Sequence, residues 1–320
     1  MKHTPQVSII IPTYNRAGMV AGAIESALGQ TYPNKEVIVV DDGSDDETAA
    51  IVKNYPSVIY IVQPHAGQAA ARNGGWKQAK GTYIATLDSD DVWQDDFLER
   101  CISFLEAHNL DFVFANWDQQ TKEGGLMDFF ANDPLLKPYL PRVQDGWILL
   151  KDADLRDLYV RGCPSPSSAL VLRASSIVSG WNEEMNIADD WCMLLDMIFS
   201  RPCLAAMTTQ KLWLKHINCN NIYDGRDHIE VNKLLYVADT QTIMQRHAPS
   251  MTKAEYKIME ERYLEHLVRS AKHSLFLDSN VTESISLMKR AMVMNPVYSA
   301  KILSKLFVQA GIRQFKKDPD

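Results

Sequence analysis

No C-x-x-C pair occurs in this chain of 320 residues, and its five cysteines, Cys101, Cys163, Cys192, Cys203 and Cys219, are odd in number. That spacing fits neither a structural zinc site nor a disulfide framework, so reduced and mostly buried thiols are expected. No run approaches the roughly 20 apolar residues that span a bilayer, because "WCMLLDMIF" is short and interrupted by Asp196. The opening "MKHTPQVSIIIP" holds no apolar stretch of signal-peptide length, and a cytoplasmic protein is the expectation. Positive charge is in deficit: 33 Lys and Arg against 40 Asp and Glu leave a net charge of -7. That balance argues against broad, non-specific affinity for nucleic acid or anionic lipid, while leaving room for a local basic patch. No G-x-G-x-x-G follows the first apolar run, where "IIPTYNRAG" stands, and no G-x-x-x-x-G-K-[ST] occurs anywhere. Dinucleotide and P-loop readings lose their main support, and a diphosphate bound here would call for a metal to neutralise it.

What is present is an alternation. The runs "VSIII" (7–11), "EVIVV" (36–40), "VIYIV" (58–62) and "YIATL" (83–87) read as strands, separated by segments of helical spacing. The first spacer carries Val20, Ile24, Ala27 and Leu28 on one face, and the second opens with Ser44 and Glu47 at capping-box separation. Apolar strands joined by helices predict an α/β fold with a mostly parallel sheet flanked by helices on both faces. Ligands of such sheets bind beyond the carboxyl ends of the strands.

Two acidic clusters fall at those ends. In "VVDDGSDDET" (39–48), Asp41 and Asp42 close the second strand, while Asp45, Asp46 and Glu47 read as first-turn acids that complement a helix dipole. In "TLDSDDVW" (86–93), Asp88 and Asp90 follow the fourth strand, and a D-x-D there can hold one hard cation such as Mg²⁺ or Mn²⁺. Acidic turns are common, and the tripeptide alone is a weak signal.

In order and spacing, "VSIIIPTYNR", "QTYPNKEVIVVDDGSDDET", "AARNGGWKQAKGTYIATLDSDD" and "GWNEEMNIADDW" resemble the motifs of inverting family 2 glycosyltransferases with the GT-A fold, over residues 7 to about 220. The resemblance implies a catalytic domain over 1–225, with a nucleotide-sugar half (1–110) and an acceptor half (111–225), followed by a helical region over 226–320. It implies that Thr13 and Asp42 meet the nucleotide base with Asp41 beside them, within a site bordered by Pro12, Tyr14, Asn15 and Ser89. Asp88 would meet the ribose, and Asp90, with Asp88 and supported by Asp91, would hold a divalent metal, Mn²⁺ or Mg²⁺, on the phosphates. Arg72 and Asn73 fall beside the nucleotide or pack their helix onto the sheet. His216 falls near the diphosphate or serves structure alone.

By the same resemblance Asp190 is the catalytic base, while Asp189 stands where the family more often has Glu, which leaves open which acid reaches the acceptor. A helix cap would account for one of the two. As base, Asp190 would take the proton of an acceptor hydroxyl as that oxygen attacks the anomeric carbon opposite the nucleotide, inverting it in one displacement. The donor expected is a nucleotide sugar, UDP-linked by family frequency, and the acceptor a glycan or lipid-linked sugar of cell-surface polysaccharide synthesis. Trp117, Trp147 and Trp181 either stack on acceptor sugars or anchor the core. The helical C-terminus carries Lys289, Arg290, Lys301, Lys305, Arg313, Lys316 and Lys317 against Asp318 and Asp320. It reads as a solvated face or as a peripheral contact with anionic membrane. A catalytically silent sugar-nucleotide-binding module and a sugar-nucleotide pyrophosphorylase are the alternatives; the latter lacks its glycine-rich basic N-terminal signature.

Overall fold

A computed structural model describes residues 5–121, 124–217, 221 and 223–315, with side chains to residue 305. Its centre is strand β1 (Val7–Thr13), in which Val7, Ile9, Ile10 and Ile11 have no solvent exposure. An uninterrupted β-branched run suits a strand covered on both faces. β2 (Lys35–Asp41) and β4 (Tyr83–Thr86) pair with β1 in parallel, and β3 (Ile59–Val62) pairs in parallel with β2. Helices α1 (Val20–Leu28), α2 (Thr48–Val52) and α3 (Gln68–Gln78) make the connections. Ala71 of α3 packs into Ile38 and Val40 of β2.

The parallel order holds only for this first half. Beyond β4 the sheet is mixed: β9 (Leu170–Arg173) runs antiparallel to both β4 and β6 (Phe112–Gln120), and β10 (Ala205–Lys215) is parallel to β6. β5 (Asp91–Trp93) and β8 (Trp147–Leu150) pair antiparallel with β10, and β7 (Leu126–Asp128) with β6. Helices α4 (Phe97–Ala107), α5 (Phe129–Asn132), α6 (Asp152–Arg161) and α7 (Asp189–Ser200) complete this half. Cys101, Cys192 and Cys203 are buried and Cys163 half-buried; Cys219 lies outside the described residues.

The capping-box reading at Ser44 is corrected. α2 begins at Thr48, and Ser44 accepts the amide of Asn15 through Oγ (2.9 Å). Asp45, Asp46 and Glu47 precede the helix, and Asp46 accepts the amides of Ala17 (3.0 Å) and Thr48 (2.9 Å). The loop between β1 and α1 supplied competing donors that local spacing does not show.

The chain divides into two compact units, residues 1–185 with 189–221, and residues 186–188 with 222–320. The second is helical: α8 (His228–Val231), a π-helical stretch (Asn232–Asp239), α9 (Thr240–His247), α10 (Lys253–Phe276), α11 (Val281–Met294) and α12 (Pro296–Phe315). Thr252 and Glu255 form a capping box at the start of α10, and Asn280 caps α11. Met259, Tyr263, Leu264, Leu267 and Val268 give α10 its buried face.

His266 lies on α10, its ring stacked on Tyr236 at 4.1 Å between centroids, and burial followed by Arg262 and Arg269 pushes its pKa down to about 4 from an ordinary 6.5. The fold holds this ring neutral, so its contribution is complete above the unfolded value near 6.5 and is lost as pH falls towards 4. The loss should reach about 3 kcal/mol at most. We expect the melting midpoint of the helical unit to fall between pH 6.5 and 4, and His266→Gln to flatten that dependence. Equal slopes in the two proteins would exclude His266 as the source.

Candidate active site

Parallel pairing brings the carboxyl ends of β1, β2 and β4 to one edge, with Thr13 in register with Asp41. Asp41 accepts the amide of Ser44 (2.8 Å) and the hydroxyl of Tyr60 (2.5 Å). Asp42 accepts Gln63 Nε2 (2.8 Å) and the amides of Ala66 (3.0 Å) and Gly67 (2.7 Å), with His65 Nδ1 also at 2.8 Å. It therefore organises the loop that leads into α3. Gly43 permits this approach: its φ is +81°, and a Cβ there would sit 3.0 Å from the His65 amide nitrogen.

Pro12 is buried in β1, and the Thr13 hydroxyl is buried with no hydrogen-bond partner among the described residues. Tyr14 is exposed and stacks on His65, 4.1 Å between centroids, while Asn15 Oδ1 accepts the Asp45 amide (3.0 Å). A buried lone hydroxyl beside an exposed aromatic pair offers a flat ring both a polar anchor and a stacking surface. His65 did not stand out in the sequence. Its signal was position alone, since polar residues after a parallel strand border the crevice.

Asp88 is half-buried and accepts Arg72 Nη2 at 2.7 Å, and its amide donates to Ser168 Oγ at 3.0 Å. Ser89 is buried beside it. Asp90 lies 3.7 Å from Arg16 Nε and accepts Asn221 Nδ2 at 3.1 Å. Asp91 is fully buried and accepts Ser168 Oγ at 2.6 Å; burial, then the charges of Asp88 and Asp90, push its carboxyl well above the usual range. His216 Nδ1 lies 2.8 Å from the Asp90 carbonyl. A carbonyl only accepts, so that nitrogen carries the proton and Nε2 of the neutral ring is left as an acceptor. Asp88, Asp90 and Asp91 lie close enough for their charges to act on one another.

Arg72, 2% exposed, links this cluster to the start of α7. One guanidinium nitrogen bonds Asp88 and the other ion-pairs with Asp189, coming within 4.0 Å of Asp190. Asp189 is 1% exposed and also accepts Gln68 Nε2 at 2.8 Å. Burial pushes its carboxyl above the usual range, with Arg72 pulling the other way. Asp190 differs: its side chain is 15% exposed, and its two oxygens accept Trp181 Nε1 (2.7 Å) and Ser167 Oγ (2.6 Å).

Asn73 holds Trp181 in turn. Its amide accepts from the Trp181 nitrogen (2.9 Å) and donates to the Trp181 carbonyl (2.8 Å). Gly180 makes this clamp possible, because its φ is +71° and a Cβ would lie 2.6 Å from Asn73 Oδ1. Trp181, expected either to stack on an acceptor sugar or to anchor the core, is buried and presents its indole N–H to Asp190. Trp117, for which the same two readings stood open, is 1% exposed and stacks between Phe129 (3.9 Å) and Trp213 (4.8 Å) in the core. Trp147 stacks on Phe104 at 4.1 Å.

The parallel strands of this α/β sheet end on a D-x-D, and α7 opens on two carboxylates, an architecture of the GT-A type. Residues 8–155 match the model of glycosyl transferase family 2. Among curated relatives, the Escherichia coli UDP-Glc:alpha-D-GlcNAc-diphosphoundecaprenol beta-1,3-glucosyltransferase WfgD is 40% identical over 115 residues, 35% of this chain and 46% of WfgD. Such relatives are matched over about a fifth to about half of their length. Among solved structures, S. aureus TarS 1-349 in complex with UDP-GlcNAc has a TM-score of 0.62 at 19% identity, covering 90% of this chain and 81% of that one. Mannosyltransferase PcManGT from Pyrobaculum calidifontis, with GDP-Man and Mn²⁺, has a TM-score of 0.55 at 15% identity, covering 99% and 83%. These two likenesses bear on the fold. Among the described residues no helix is long and apolar enough to cross a membrane.

Proposed function

We propose that this chain transfers a sugar from a nucleotide diphosphate, UDP in preference, to a hydroxyl of a glycan or lipid-linked acceptor, with inversion and with Asp190 as base. One observation carries the reading: the guanidinium of Arg72 joins Asp88, at the donor end, to the paired carboxylates opening α7, of which Asp190 is the more exposed. The buried Asp189–Arg72 pair also weakens the silent-module reading. Asp in place of Glu at 189 shortens a side chain that serves an ion pair and leaves the candidate base untouched.

Asp190, oriented by Trp181 and Ser167, accepts the acceptor's proton as its oxygen attacks the anomeric carbon. The leaving diphosphate gains charge at the acidic strand ends, where Asp90 with Asp88 and His216 would hold Mn²⁺ or Mg²⁺. The cation supplies Lewis-acid stabilisation of that charge when bound. Thr13, Tyr14 and His65 offer the nucleobase an anchor and a stacking surface. A lipid-linked acceptor accords with peripheral membrane contact. In support, Phe276, Leu277, Val281 and Ile285 are exposed. Arg313, Lys316 and Lys317 lie outside the residues with described side chains.

Calorimetry with UDP and uridine, each with and without Mn²⁺, tests the division of labour. Asp90→Ala should abolish the metal-dependent gain in UDP affinity and leave uridine unchanged, because the diphosphate loses its counter-ion. Asp42→Ala should weaken both ligands with or without metal, because the loop from Gln63 to Gly67 loses its organiser. If both variants lost only the metal response, Asp42 would belong to the metal site and the nucleobase assignment would fall.

A further inference from the structure

We infer that Asp239 is a positioning residue for the candidate base, an inference that rests on the reading of Asp190 given above. Asp239 is 1% exposed and closes the π-helical stretch Asn232–Asp239. Its oxygens accept four hydrogen bonds from three consecutive residues. Oδ1 accepts the Asn186 amide (2.9 Å) and Asn186 Nδ2 (2.7 Å), and Oδ2 accepts the amides of Ile187 (2.8 Å) and Ala188 (2.9 Å). These three residues run directly into Asp189 and Asp190.

The dependence is mutual. A buried carboxylate is costly unless its lone pairs are filled, and amide donors at 2.7 to 2.9 Å fill them. Amides that precede a helix have no acceptor within it, so the backbone of 186–188 in turn needs one from elsewhere. Asparagine at 239 could satisfy only one side of this arrangement. Its oxygen would accept, but its Nδ2 would meet amides that also donate. The backbone entering α7 would then have to turn, and the carboxyl of Asp190 would turn with it. The π-helical stretch sets where Asp239 falls, because each wide turn rotates the residues after it relative to a regular helix.

The experiment is hydrogen–deuterium exchange over residues 185–191 of the full chain, with UDP affinity and the rate of sugar transfer from UDP-GlcNAc measured alongside. In Asp239→Asn, exchange at Ile187 and Ala188 should quicken about tenfold. The transfer rate should fall about tenfold at unchanged UDP affinity, and peptides from α10 and α11 should keep their protection. Asp239→Glu, which keeps the acceptor charge, should recover part of both losses. Unchanged exchange at 187 and 188 overturns the inference. So does a uniform rise across the helical unit, which would show a residue that supports that unit alone. Faster local exchange with an unaltered transfer rate also overturns the inference, because loosening 186–188 would then not disturb the group that acts in transfer; the assignment of Asp190 as base stands or falls separately on Asp190→Asn. Should Asp239→Asn fail to fold, Asn186→Ala removes one donor of the four. It should quicken exchange at 187 and 188 about threefold, and no change there overturns the inference.

Discussion

Asp190→Asn should lower sugar transfer by at least a hundredfold while UDP affinity stays within about twofold, since a positioned base contributes roughly 10²- to 10⁴-fold. Asparagine fits the same space, and its oxygen can still accept from Trp181 or Ser167. What disappears is the second lone-pair-bearing oxygen and the charge that draws the acceptor's proton. Asp189→Asn is the necessary companion. Its carboxyl is buried against Arg72 and Gln68, so the expected damage there is to stability, with a smaller loss of rate in the protein that remains folded. A transfer assay on both variants, paired with UDP titration, decides between them. If Asp189→Asn is dead at normal stability and Asp190→Asn retains more than a tenth of the rate, the base has been assigned to the wrong carboxyl.

Arg72→Met should lower the thermal midpoint of the α/β unit by roughly 6–20 °C. Removing one partner of a buried ion pair costs about 3–5 kcal/mol, and each kcal/mol moves a unit of this size by about 2–4 °C. Methionine fills similar volume, so little of the loss would come from packing. The deficit should depend on pH with a definite sign. With Arg72 in place, burial already raises the Asp189 carboxyl to about 7. Without it, burial and the charges of Asp190 and Asp88 act unopposed and raise it further, while the unfolded chain releases the proton above about pH 4. The deficit of the variant should therefore stay level between about pH 4 and 7 and widen above pH 7, where the parent's Asp189 ionises and the variant's does not. Arg72→Met combined with Asp189→Asn should recover much of the midpoint, because the orphaned charge is gone. A double variant no more stable than the single one would show that the Asp189 charge is not what Arg72 serves. Circular dichroism melts from pH 4 to 8 measure all three proteins.

The first four strands were legible because each is a short β-branched run bounded by polar turns, and β1 shows the reason: its residues face helices on both sides. The mixed second half was not. β9 is the four residues Leu170–Arg173, and its place between β4 and β6 depends on partners that lie far away in the chain. Among the site residues, the acidic pairs at 41–42, 88–90 and 189–190 announced themselves by composition, and motif order related them to one another. Which tryptophans were available was hidden. Trp117 and Trp181 are alike as letters, yet one is sealed between aromatic rings and the other hands its N–H to Asp190. His65 was overlooked because a lone histidine in a loop carries no pattern, and its value comes from Tyr14 and Asp42 arriving from two other strand ends.

The sequence by itself determined that carboxylates would close the parallel strands. Strand periodicity and the order of local motifs are properties of neighbouring residues. Only the tertiary structure decided which carboxylates are locked away. Asp189 and Asp190 are adjacent letters of one kind, but a helix rotates them about 100° apart. One rotation meets a buried guanidinium that comes from residue 72, and the other meets an indole and a hydroxyl at the margin of solvent.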